Sequence, residues 1–120
     1  MIENDWDYAE RRRYERVSLD SYLRVNDLDQ QKLLGHVVDI SRDGMRLISD
    51  QPITVAQDYN VKLEVSIYGR RFDNIVLVAR SVWSQTDDNP SLYDTGFHFE
   101  QVSPESDEAI QTLIEELKAA

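Results

Sequence analysis

"YNVKLEVSIY", residues 59–68, alternates without a break. Val61, Leu63, Val65 and Ile67 fall on one face, and Lys62, Glu64 and Ser66 on the other. That period of two is the mark of a strand with one face in a core. "YGRR" (68–71) is a hairpin signal, and "FDNIVLVARSVW" (72–83) is a second, longer strand. Upstream, "SYLRVN" (21–26), "KLLGHVVDIS" (32–41) and "MRLIS" (45–49) are strands, with Tyr22 apolar on one face of the first. The turn formers of "NDLDQQ" (26–31) and "SRDG" (41–44) separate them. "DQPITVAQD" (50–58) is a connection and "SQTDDNPS" (84–91) a loop; "YDTGFHFE" (93–100) is the last strand.

After that strand the period changes. Ile110, Leu113, Ile114 and Leu117 recur at helical spacing. Ser103 is an N-cap, Pro104 takes the first helical position, and acidic side chains fill the first turn. The spacing predicts a helix over about 104–118. Six short strands at hairpin spacing followed by one helix predict a six-stranded antiparallel β-barrel with the helix over one opening. There is no βαβ alternation and no internal repeat.

The chain has 120 residues, enough for one domain with a modest core. The reading is a flexible leader at 1–9, with Trp6 and Tyr8 as late-docking aromatics, and a single domain at 10–120. No apolar run approaches a membrane-spanning length, and the acidic start "MIENDWDYAE" does not read as a secretory signal. Cytoplasmic location without membrane insertion is the expectation. The absence of cysteine excludes disulfides, thiolate zinc sites and a cysteine nucleophile. Lys and Arg number 13 against 23 Asp and Glu, a net charge of −10. That charge argues against a nucleic-acid binder working by broad phosphate neutralisation.

Against this acidic background, "ERRRYERV" (10–17) packs Arg11, Arg12, Arg13 and Arg16 together. Guanidinium groups are planar, permanently charged forks that match phosphate and the Hoogsteen edge of guanine. Arg12 and Arg16 stand four apart, in the pattern RxxxR. The plainer reading is a solvated basic segment balancing Glu10 and Glu15. A second motif, "DISRDG" (39–44), sits where a strand meets a tight turn. Asp39 offers acceptors for the N–H edge of guanine, Ser41 a hydroxyl, and Gly44 the freedom to take positive φ and approach a ligand closely. An Asx-type capped hairpin would use the same residue types.

The two motifs together, with one hairpin between them, resemble the signature of the PilZ domain family, RxxxR followed by [DN]xSxxG. "GHVVDIS", "RSVW" and "TGFHFEQVSPE" agree, and the resemblance covers residues 10–118. It implies a PilZ-like split barrel with a C-terminal helix and a flexible N-terminal arm. It also implies binding of the bacterial second messenger cyclic di-GMP. By that likeness Arg12 and Arg16 hold phosphates and guanine edges, while Asp39 and Ser41 read the second guanine. Gly44 keeps the strand–turn geometry open. Arg13 lies inside RxxxR without being one of its fixed positions. Arg11 is placed to stack on a guanine and bridge two nucleotides, so an intercalated ligand dimer is expected. Trp83 occupies a position where the family often has an aromatic near the ligand; rim packing is its other reading.

His36 and His98 are the only histidines, 62 residues apart. Without a nucleophile–base pair or metal-type spacing, both read as structural, and neither an enzyme, a metal site nor a bound cofactor is expected. The expected role is a ligand receptor that orders its arm around cyclic di-GMP and passes the change to a partner protein. The alternative is a protein–protein module of the same shape that acts without nucleotide.

Overall fold

The structure, a computed structural model, describes residues 22–67 and 69–119. The leader and the arginines at 11, 12, 13 and 16 lie outside the described residues. Six strands are described: β1 (Tyr22–Asp27), β2 (Lys32–Ile40), β3 (Gly44–Ser49), β4 (Asp58–Ile67), β5 (Arg70–Thr86) and β6 (Tyr93–Val102). They close into an antiparallel barrel in the order β1-β2-β3-β6-β5-β4. The helix α1 (Pro104–Ala119) follows. This is the barrel-plus-helix fold expected from the sequence.

The alternation in 59–68 does what it predicts. Val61, Leu63, Val65 and Ile67 are all buried in the barrel core, with Val37, Leu47, Ile75 and Phe97. β1 turns its other face inward: Leu23 and Val25 are core, while Tyr22 lies outside with the Arg24 guanidinium 4.2 Å above its ring. β5 extends to 17 residues, longer at both ends than its apolar run. It runs long because it serves two partners, reaching from Arg70 opposite Ile67 of β4 to Thr86 opposite Tyr93 of β6. Ser84–Thr86, read as loop, are therefore strand. Gly69 carries φ +82° between Ile67 and Arg70, as the hairpin signal requires.

Two β-bulges interrupt the pleat where it matters most. Val37 pairs with Leu47, but Asp39 pairs with Arg46, so Val38 is an extra residue in β2. Ser81 pairs with Phe97, but Trp83 pairs with Gly96, so Val82 is extra in β5. Each bulge shifts the in–out count by one. Ser81 also holds the 50–57 connection: its backbone bonds Ala56 and Gln57, and its hydroxyl donates to the Thr54 carbonyl at 2.6 Å.

Helix α1 begins as its capping residues dictate. The Ser103 hydroxyl accepts the Ser106 N–H at 3.1 Å, and the Ser103 carbonyl accepts the Asp107 N–H. Ile110 and Leu113 enter the core, with Ala109, Ile114 and Leu117 at its margin. β6 ends at Val102, opposite Leu77, so Val76 on β5 has passed the end of its β6 neighbour. The buried Ser106 hydroxyl takes over that edge, accepting the Val76 N–H at 3.2 Å and donating to its carbonyl at 3.0 Å. Ser106→Ala strands both backbone groups under the helix. The expected loss is about 1–3 kcal/mol of stability in urea denaturation followed by circular dichroism. An unchanged midpoint would mean that the helix is seated by its apolar face alone.

Candidate functional site

A groove of about 400 Å³ crosses the outside of the barrel over β2, β3, β6 and β5. Asp39, Ser41, Gly44 and Trp83, the four site candidates among the described residues, all line it. The register explains the meeting. Asp39 pairs with Arg46, Arg46 with Gly96, and Gly96 with Trp83. Directly paired residues share a face, so carboxylate, guanidinium, bare backbone and indole form one outward row across four strands. Three strand spacings make the row about 14 Å long.

Both ends of the row depend on the bulges. Counting on from the inward Val37, an unbroken pleat would turn Asp39 into the core and Ile40 out. With Val38 as the extra residue, Val38 joins an outer cluster with Ile48 and Leu92. Asp39 faces the groove, and Ile40 packs against the core. In β5, Ser81 is fully buried while Val82 and Trp83 are exposed side by side, Trp83 at 40%. The indole packs against Gly96, where a Cβ would run into its Nε1 and Cε2 atoms. Trp83 is a groove wall, not part of the barrel core.

Gly44 departs from its expectation. It does not carry positive φ; among the described glycines only Gly69 does. Gly44 is required by close approach instead, because a Cβ would collide with the Phe97 carbonyl oxygen of β6. Ser41 is occupied by the turn itself. Its N–H donates to the Gly44 carbonyl at 2.8 Å, and its Oγ accepts the Asp43 N–H at 3.3 Å. The Asp43 carbonyl accepts the Phe99 N–H, which ties the turn to β6. Arg42 reaches Asp107 in the first turn of α1 at 3.3 Å. That pair is exposed and adds little stability, but it sets the turn beside the helix.

Arg46 and His98 are among the lining residues that the sequence reading did not single out as site residues. His98, read as structural, sits on the groove rim with its side chain 56% exposed and Nε2 3.9 Å from Glu100. Its flanking phenylalanines were the signal: with Phe97 and Phe99 both inward, His98 must face out. Arg46 was missed because its pairing with Asp39 depends on a bulge that alternation does not announce. Arg46 Nη1 lies 3.5 Å from Asp94 Oδ2, and Arg46 Nε and Asp94 Oδ1 are buried without hydrogen-bond partners. Burial pushes the Asp94 carboxyl above its ordinary value; Arg46 opposes the rise and Asp87 adds to it. Among the described residues, no group of three or more His, Asp or Glu could hold a metal ion. No described helix is long and apolar enough to cross a membrane.

Two expectations follow from Gly96 and Asp94. Gly96→Ala in a Trp6→Phe background displaces the Trp83 indole, which shifts its emission to the red and raises acrylamide quenching. Unchanged emission and quenching would mean that the indole does not rest on Gly96. For Asp94 the folded form favours the neutral acid, so its contribution to stability is fully present below about pH 3.8 and is lost as pH rises through the folded value. Asp94→Asn removes that loss. The stability difference between variant and wild type should grow in the variant's favour as pH rises from 3.8, as read in urea melts; a pH-independent difference contradicts it.

Comparison with known proteins gives a consistent answer. The model of the PilZ domain family matches residues 10–116. No curated protein sequence matches the chain. Among solved structures, the fold is similar to the PilZ domain of YcgR from Escherichia coli, solved with c-di-GMP. The two are 19% identical with a TM-score of 0.57, over 86% of each chain. It is also similar to the PilZ domain of CeSA from a cellulose-synthesizing bacterium, at 16% identity and TM-score 0.56, over 82% of this chain and 93% of that one. MrkH of K. pneumonia in its apo state gives 16% identity and TM-score 0.59, over 86% of this chain and 47% of that one.

Proposed function

This chain belongs to the PilZ domain family, and on that premise we propose that it is a receptor for cyclic di-GMP. The observation that carries the reading is the convergence of Asp39 and Trp83 on one groove, each turned outward by its own bulge. A carboxylate accepts both N–H groups of a guanine Watson–Crick edge, and an indole face stacks on a purine. Ser41 adds a hydroxyl at the turn, and Gly44 keeps β3 close against β6 beneath it.

Arg12 and Arg16 supply phosphate and guanine-edge contacts, with Arg13 between them. Arg11 stacks on a guanine and joins two nucleotides, so the ligand is taken as an intercalated pair. Ordering the arm around the dianion changes the surface a partner protein meets, and that is the output. The role is one of adaptor, not catalyst.

Calorimetric titration with cyclic di-GMP should give saturable binding at two ligands per chain. Arg16→Ala and Asp39→Ala should each weaken it about ten- to a hundredfold, the worth of a hydrogen bond to a charged group. One ligand per chain removes the intercalated pair. Absence of saturable heat in the wild-type protein removes the receptor reading.

A further inference from the structure

Arg46 is half-engaged. Of the five donors on its guanidinium, one meets Asp94 at 3.5 Å, well beyond the length of a strong charged pair, and Nε has no partner. The side chain stands 40% exposed in the groove, while the side chain of its partner Asp94 is 8% exposed. In the row across the strands, Arg46 lies between Asp39 and the Trp83 platform on Gly96. A ligand with one base on Asp39 and another ring on Trp83 carries its linking phosphodiester over Arg46.

We propose that Arg46 is a phosphodiester-binding residue held in reserve by Asp94, and that ligand binding transfers its guanidinium from Asp94 to phosphate. This rests on the receptor reading above. Asp94 is then a positioning residue: it keeps the guanidinium on the groove floor of the empty protein. A phosphate offers two oxygens in the fork geometry that the single long contact to Asp94 does not satisfy. The charged groups facing Asp94 are Arg46 from β3 and Asp87 from the loop before β6. Once Arg46 leaves, a buried carboxylate remains beside another carboxylate. It takes a proton from solvent onto its oxygen, so ligand binding and proton uptake are linked.

The test is titration of the full chain with cyclic di-GMP at pH 5–6, in two buffers of different ionisation enthalpy. Wild type should take up a fraction of a proton on binding. Arg46→Gln should bind about ten- to a hundredfold more weakly and lose the uptake. Asp94→Asn should bind several-fold more tightly, because Arg46 is no longer retained, and should also lose the uptake. Arg46→Lys keeps the charge without the fork and should fall between Arg46→Gln and wild type; it carries the test if Arg46→Gln does not fold. Binding by the Arg46 variants within twofold of wild type, or equal proton uptake in wild type and Asp94→Asn, overturns the proposal and leaves the receptor reading standing. No binding by wild type overturns both.

Discussion

A strand sends successive side chains to opposite faces, so a residue's place inside or outside a barrel is fixed by counting from its neighbours. In β2 the count from Val37 sends Asp39 inward, and in β5 the count from Ser81 sends Trp83 inward. Neither fits there. A carboxylate in this aliphatic core would lack partners, and an indole would overfill it. The extra residues Val38 and Val82 correct both counts, and each gives its strand an outward pair. Everything distinctive about the outer surface depends on those two corrections. They expose a carboxylate and an indole on opposite margins of one groove, and they return Ile40 and Ser84 to inward positions.

Two glycines make that surface possible, for different reasons. At Gly44 the backbone of β3 presses so close to β6 that no Cβ fits beside the Phe97 carbonyl. This keeps the 41–44 turn tight against the sheet, where the Asp43 carbonyl also binds Phe99. At Gly96 the missing Cβ leaves space on the outer face, and the Trp83 ring fills it. The ring rests against the Gly96 backbone, and Trp83 stays 40% exposed. A site built this way is set by strand register and needs no loop closure to assemble its walls.

Where a segment obeys a single period, its place was legible from sequence. Residues 59–68 alternate strictly and all four apolar members are core; Ser103-Pro104 starts α1 where capping chemistry puts it. Legibility failed where the period broke. Arg46 could not be placed beside Asp39 without knowing that Val38 is extra, and the pull of two sheet partners on β5 extended it past its apolar stretch. Gly44 was recognised as necessary, but the reason lay in β6, more than fifty residues away in sequence. His98 was recoverable: two buried phenylalanines around it fix its direction. Tertiary pairing, not local preference, decided each of the other cases.

Charge divides the labour within the proposed site. Among the described residues, the formally charged side chains lining the groove are Asp39, Asp43 and Arg46, a set that is not basic. A phosphodiester ligand would gain shape and base-edge contacts there but little net attraction. The proposed reading assigns that attraction to the four arginines at 11, 12, 13 and 16, which precede β1 by only a few residues in sequence. On the proposed reading, binding should weaken as salt rises, because charge attraction is screened over about 8–10 Å. The contacts proposed for Asp39 and Trp83 would depend on fixed geometry and be much less exposed to that screening. In the proposed transfer, a proton taken up at Asp94 would act in the same direction as the arginines: it would remove one negative charge beside Arg46 as a negatively charged ligand settles on the groove.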